Sequence, residues 1–302
     1  MAFDRTAHKY LRKNFKMPTI WCSGCGIGII LGSIFKALED LNMTGDNTVF
    51  VGGIGCSSRI PFYVDFDALH TTHGRPIAFA TGVKFAKPDL NVVVVAGDGD
   101  TAAIGGNHFI HACRRNIDIT LIVINNKIYG MTGGQYSPTT KSGEKTTTSP
   151  YGHIERSFDI SKLAAAAGAT YVARSSVYHV THLDKIIKEA FAHKGMSVVE
   201  IMSPCWTTHG RRNRFKTPVE MYKWLKDNMI PLNAWEKLPE DKRAGKIPYG
   251  VFVNKKDIPE YCEAYYEHII KPNLNKKRRD FSEDIEAMKI KLEIKAKEGW
   301  HV

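Results

Sequence analysis

Residues 91–126 read NVVVVAGDGDTAAIGGNHFIHACRRNIDITLIVINN, and this stretch decides the fold. Asn91–Ala96 and Ile119–Ile124 are short apolar runs rich in Val and Ile, which predicts strands buried on both faces. Between them, Ile104–Arg115 has the texture of a helix. A strand, a helix and a strand in so short a span predict a parallel βαβ unit. Asp98 sits in the turn Gly97-Asp98-Gly99 after the first strand, and Asn126 follows the second. Both positions then lie at the carboxyl ends of neighbouring strands, where α/β sheets hold their ligands. A carboxylate and an amide oxygen placed there can share one hard cation. That cation can bridge to a diphosphate seated on the N-terminus of the intervening helix.

A nicotinamide or flavin site competes with this reading, because Gly97–Ala102 fits the G-x-G-x-x-G/A fingerprint. That fingerprint also needs an acidic residue near the end of the second strand. Here Asp118 precedes the strand, and the strand ends in two neutral asparagines. Asp98 would also repel a bare pyrophosphate. Both points favour a Mg²⁺-diphosphate. The plain alternative is an ordinary βαβ turn in which Asn125-Asn126 only caps a loop.

The chain has six cysteines. Cys22-Ser23-Gly24-Cys25 puts two thiols in a tight glycine turn that can grip one metal centre. A thioredoxin-type redox site competes, but the preceding Lys13–Thr19 is too polar for the buried strand that such a site follows. A zinc site also competes, with His70-Thr-Thr-His73 as the second pair. Cys56 follows the short strand Thr48–Val51, and Cys205 follows the strand Ser197–Met202. All four thiols can therefore converge on one sheet edge, and four thiolates suit a [4Fe–4S] cluster. Cys113 and Cys262 are expected to be non-ligands.

The pairing of GDG with NN resembles the thiamine diphosphate signature. Together with the four cysteines, the chain closely resembles the β, thiamine diphosphate-binding, subunit of the 2-oxoacid:ferredoxin oxidoreductases. The resemblance runs from about Trp21 to Arg214. It rests on WCSGCG (Trp21–Gly26), GIGCSSR (Gly53–Arg59), HGR (His73–Arg75), GDGD (Gly97–Asp100), NNKIYGMTGGQ (Asn125–Gln135) and SPC (Ser203–Cys205). Within the family, HTTHGR and the Arg after CSS look most like the 2-oxoglutarate branch.

The resemblance implies that Asp98, Asn126 and the carbonyl of Ile128 hold Mg²⁺. Gly97, Gly99 and Asp100 complete the cofactor turn, and Cys22, Cys25, Cys56 and Cys205 bind the cluster. It implies CoA-dependent oxidative decarboxylation of 2-oxoglutarate to succinyl-CoA and CO₂, reversibly, with electrons passed through the cluster to ferredoxin. Arg59 is a candidate for pairing with a substrate carboxylate, and His73 for a polar contact with substrate. The Glu that contacts the aminopyrimidine ring comes from a separate domain in this family. An α subunit is therefore expected, with a dimer of αβ units. The same chemistry on pyruvate or another 2-oxoacid, or a redox-inert thiamine diphosphate decarboxylase, is the alternative.

At 302 residues the chain is long enough for one sizeable α/β domain and an appendage. Residues 1–20 read as an N-terminal arm. Residues 21–210 alternate strands and helices, which predicts a largely parallel sheet with helices on both faces. Residues 211–302 are interrupted by prolines and read as an extension for subunit contacts, with helices expected over Pro259–Ile270 and Glu283–Glu298. Asp159–Ala167 and Tyr178–Lys194 read as helices, and Gly130–Tyr151 as a long functional loop over the cofactor. The net charge of +11 raises a nucleic-acid reading, yet no nucleic-acid motif accompanies it, and an acidic electron carrier is the more economical partner. The polar start and the lack of a long apolar run predict a cytoplasmic protein with no membrane span.

Overall fold

The computed structural model describes residues 9–14, 18–274, 285–290 and 293. Among the described residues there are ten strands: β1 (Thr48–Gly52), β2 (Asp67–His70), β3 (Asn91–Gly97), β4 (Thr120–Asn125), β5 (Ile128–Tyr129), β6 (Gln135–Tyr136), β7 (Tyr171–Ser176), β8 (Ser197–Met202), β9 (Met229–Pro231) and β10 (Ile247–Asn254). Eight of them form one sheet in the order β2-β1-β3-β4-β8-β7-β10-β9, while β5 and β6 make a separate hairpin. The six strands from β2 to β7 run parallel, and β10 pairs antiparallel with β7.

Alternate residues of each central strand feed two separate cores. On one face Phe50, Val93, Val95, Ile122 and Ile124 pack with the helices Ile27–Asp40 and Val180–Ala192. On the other face Val51, Val94, Leu121 and Val123 pack with the helices Pro76–Ala86, Gly106–Arg115 and Ile160–Ala166. This two-sided burial explains why the strand sequences are continuous apolar runs and not alternating ones. Burying each such side chain contributes about 1.5–3 kcal/mol before entropy is counted.

The strand order determines where a ligand can sit. The chain leaves β1 for β2 on one side, then crosses back to β3 on the other. The loops after β1 and β3 therefore diverge and leave a crevice beyond their carboxyl ends. Cys56 follows β1, Asp98 follows β3 and Asn126 follows β4.

Several local expectations shift. The helix expected over Ile104–Arg115 is present as Gly106–Arg115, and Asp98–Ala102 forms a separate short helix before it. The two glycines, Gly105 and Gly106, weaken a continuous helix there. Asp159 is the N-cap of the helix Ile160–Ala166, its side chain accepting from Lys162 N. In place of one helix over Pro259–Ile270, an α-helix at Tyr261–Tyr265 passes into π and 3₁₀ turns.

The chain divides into two compact units, residues 1–263 and 264–302. Within the first unit, Tyr10 is 5% exposed and joins the core, which anchors the expected arm at that point, while Ile20 is 64% exposed. The region after 210 contributes β9 and β10 to the sheet. Most of the expected helix Glu283–Glu298 lies outside the described residues.

Candidate active site

The crevice contains an open pocket beyond the carboxyl ends of these strands. The loops after β1, β2, β3 and β4 line it with Cys56, His73, Asp98 and Asn126, together with Ile128 of β5.

The two adjacent asparagines have different jobs. Asn125 is fully engaged: its Nδ2 donates to Glu200 Oε1 at 2.8 Å, and its Oδ1 accepts from Lys127 N and Thr139 Oγ1. Lys127 takes a left-handed conformation (φ 61°), which turns the chain so that Ile128 returns to the pocket. Asn126 Oδ1 is buried and has no hydrogen-bond partner among the described residues. An orphaned buried acceptor is costly unless a ligand satisfies it.

Asp98 is 2% exposed. Its Oδ2 accepts from Ser137 Oγ and Thr139 Oγ1, each at 2.5 Å. Burial nevertheless pushes its carboxyl above the usual range, because the two hydroxyls only partly offset it. A buried carboxylate with no cation of its own beside an orphaned amide oxygen fits a divalent oxygen-seeking ion. Among the described residues no three His, Cys, Asp or Glu side chains gather tightly enough to hold such an ion unaided. One carboxylate, one amide oxygen and one carbonyl leave coordination positions open, which suits a diphosphate and water as further ligands.

Asp100 has a different role from Asp98. Its Oδ1 lies 2.5 Å from His73 Nδ1 and accepts from Gly74 N at 2.6 Å. Its Oδ2 is buried without a hydrogen-bond partner among the described residues, and burial raises its carboxyl. A Cβ on Gly53 would fall 1.8 Å from Oδ2, so only glycine lets the β1 loop pass. Gly99 is equally constrained: a Cβ there would stand 2.3 Å from the Tyr129 ring. His73 is a third exposed and meets Tyr129 edge-on at 5.8 Å.

All six cysteines are free. Cys25 N bonds Cys22 O at 3.0 Å, closing the first turn. Trp21 Nε1 donates to Cys56 O at 2.8 Å and ties the first motif to the second. Burial pushes the Cys25 thiol up to about 12, and Cys205, Cys56 and Cys22 add to the shift through their nearby charges. Burial likewise raises Cys56, again with Cys205 and Cys22 adding to it. Cys22, Cys56 and Cys205 thus lie close enough to Cys25 to disfavour its charge, a state that iron coordination reverses. In a four-iron cluster each thiolate takes a different iron, so the sulfurs need not meet at one ion. Cys113 and Cys262 are buried away from this group.

Arg59 is not among the side chains lining the pocket. It is half-buried, stacks 5.7 Å from the Phe62 ring and makes no ion pair among the described residues. Its charge still reaches Cys56 and His70.

The segment after Gly130 folds down on the site. Besides the contacts of Ser137 and Thr139 with Asp98, Thr140 Oγ1 donates to Lys127 O at 2.7 Å. Glu144 lies 3.3 Å from Lys127 Nζ and 3.1 Å from His209 Nε2. Burial would raise the Glu144 carboxyl, but His209 and Lys127 outweigh it and hold it at about 2. Sequence reading missed Ser137, Thr139 and this ion cluster. The run Ser137-Pro-Thr-Thr140 was the available signal, being rich in hydroxyls inside a loop already expected to cover the cofactor.

Comparison with known proteins agrees with this geometry. The family described as thiamine pyrophosphate enzyme, C-terminal TPP binding domain, matches residues 44–201. The chain is 53% identical over 265 residues to the 2-oxoglutarate synthase subunit KorB of Methanocaldococcus jannaschii, covering 88% of this chain and 97% of that protein. It is 58% identical over 257 residues to the Archaeoglobus fulgidus subunit of the same name, covering 84% and 91%. A solved structure, the 2-oxoglutarate:ferredoxin oxidoreductase of Magnetococcus marinus with 2-oxoglutarate, coenzyme A and succinyl-CoA bound, superposes with a TM-score of 0.77 at 34% identity, covering 93% of this chain and 95% of that one. With a diphosphate-type pocket at the sheet switch point and four thiols beside it, this chain belongs to the thiamine diphosphate-binding β subunits of the 2-oxoacid:ferredoxin oxidoreductases, and within them to the 2-oxoglutarate branch.

Proposed function

We infer that this chain is the β subunit of a 2-oxoglutarate:ferredoxin oxidoreductase, which converts 2-oxoglutarate and CoA reversibly into succinyl-CoA and CO₂. The observation that carries this reading is that Cys56 lines the same pocket as Asp98 and Asn126. A redox-inert decarboxylase has no need of a thiol cluster in contact with its cofactor pocket.

Bound thiamine diphosphate supplies the electron sink for decarboxylation, and a [4Fe–4S] cluster accepts electrons singly. Asp98, Asn126 and the carbonyl of Ile128 would hold Mg²⁺, and Cys22, Cys25, Cys56 and Cys205 would hold the cluster. Ser137 and Thr139 keep the Asp98 carboxylate in place while their segment covers it. Asp100 engages His73 at Nδ1, which leaves Nε2 to hold or pass a proton on the pocket side. Arg59 remains the candidate for the distal carboxylate of the substrate. Its Nε is buried without a partner, and a guanidinium with no ion pair is available for a bidentate contact.

The α subunit would supply the pyrimidine-binding side, in a dimer of αβ units. Tyr151 and Ile154, 99% and 90% exposed on the covering segment, support a subunit contact there. Residues 21–210 would be the cofactor domain and residues 211–302 would serve subunit contacts. The net charge of +11 suits an acidic ferredoxin, through steering. No helix among the described residues is long and apolar enough to cross a membrane, in keeping with a cytoplasmic enzyme.

The test is co-expression with the α subunit under anaerobic conditions and an assay of ferredoxin reduction. Reduction that needs both CoA and 2-oxoglutarate, and is impaired by Arg59→Ala more for 2-oxoglutarate than for pyruvate, supports the reading. Equal or better turnover of pyruvate by the native enzyme would move it to another 2-oxoacid.

A further inference from the structure

Cys205 is the N-cap of the π-turn Trp206–Gly210, and both His209 N and Gly210 N bond back to its carbonyl, at 3.1 and 2.9 Å. That tight turn carries Thr208 over the cysteine. Its Oγ1 lies 3.0 Å from Cys205 Sγ. No other partner of this hydroxyl is present among the described residues, while the Thr208 carbonyl is taken separately by Arg212 Nη1. The hairpin segment closes the other side. A Cβ on Gly130 would stand 3.2 Å from Cys205 Sγ and 3.7 Å from Thr208 Oγ1, and one on Gly134 would stand 3.0 Å from Thr208 Cβ. With a β-branched side chain already stiff at χ1, this packing leaves the hydroxyl aimed at the sulfur.

We propose that Thr208 is a positioning residue for electron transfer, its hydroxyl donating to Cys205 Sγ and raising the reduction potential of the cluster. A thiolate ligand has no proton to give, so in the assembled site the hydroxyl must be the donor. Reduction adds one electron to the cluster and increases the charge on its sulfurs, which strengthens a hydrogen bond to them. The electron enters from the cofactor pocket and leaves to ferredoxin, and the hydroxyl keeps its proton throughout. Thr208 thus makes the cluster a readier acceptor from the pocket that Cys56 and Gly130 line. This inference rests on the four-cysteine reading given above.

The experiment is a redox titration, followed by electron paramagnetic resonance, of the anaerobic αβ enzyme carrying Thr208→Val, with Thr208→Ser as the conservative control. The native enzyme should contain about four iron per β chain. Thr208→Val should keep that iron while its reduced-to-oxidised ratio, at the native midpoint, falls about tenfold, a shift of ~59 mV to lower potential for one electron. Thr208→Ser should restore the native value. Full iron with an unchanged potential in Thr208→Val overturns the tuning role and leaves the cluster reading intact. Loss of iron in both Thr208→Val and the smaller Thr208→Ala overturns it too, in favour of a role in holding the turn. Absence of iron from the native enzyme instead overturns the cluster reading itself.

Discussion

Asn125 Nδ2 donates to Glu200 Oε1 over 2.8 Å, joining the end of β4 to the middle of β8 beneath the cofactor pocket. Glu200 is 2% exposed, and its other oxygen accepts from Arg174 Nε at 2.8 Å and Ser161 Oγ at 2.6 Å. Arg174 is itself buried and also pairs with Asp159. A chain of contacts therefore runs from Arg174 through Glu200, Asn125 and Thr139 to Asp98.

Glu200→Ala leaves the Arg174 charge buried with only its more exposed partner, Asp159. The expected loss of stability is about 3–5 kcal/mol. Glu200→Gln keeps the shape and should lose less. Denaturant unfolding midpoints check this, and an unchanged midpoint in Glu200→Ala would remove the buried pair from the account of stability.

The two asparagines should separate cleanly on substitution. Asn125→Ala breaks three satisfied hydrogen bonds and should cost about 1–3 kcal/mol of stability. Asn126→Ala removes an oxygen that bonds nothing, so the fold should be no less stable while Mg²⁺-dependent binding of thiamine diphosphate is lost. Calorimetric titration beside a thermal melt distinguishes the two, and intact cofactor binding by Asn126→Ala would argue against its ligand role.

Glu144 makes a pH prediction. Its folded pKa of about 2 lies below the unfolded value of about 4.3. The stability it contributes is therefore present above about pH 4.3 and is lost as pH falls through 2. Across that window the native chain should lose stability more steeply than Glu144→Gln. Parallel unfolding curves for the two would contradict the pairing with His209 and Lys127.

Among the cysteines, serine substitutions at Cys22, Cys25, Cys56 and Cys205 should each lower bound iron and sulfide. The same change at Cys113 or Cys262, which are 0% and 3% exposed within cores, should leave the metal content unchanged and lower stability modestly. Metal analysis of anaerobic material reads this directly, and full iron in a Cys56→Ser protein would strike Cys56 from the ligand set.

The apolar runs, the GDG turn and the cysteine positions determined the α/β class, the parallel strands and the chemistry of the site, because each depends on neighbours a few residues away. Strand period, turn glycine and strand-end position are local properties. The separate short helix Asp98–Ala102 escaped that reading because local composition does not reveal where the backbone must bend around Asp100. The resemblance pointed to Asn126, but the physical reason was hidden, since both asparagines have the same side chain. Glu200, 75 residues away in sequence, engages Asn125 together with Lys127 and Thr139, and among the described residues Asn126 Oδ1 is left without a partner. The placement of Ser137, Thr139 and Thr208 likewise came from tertiary structure alone. A hydroxyl finds its partner across loops whose approach is set by packing of the whole sheet, and no sequence period encodes that distance.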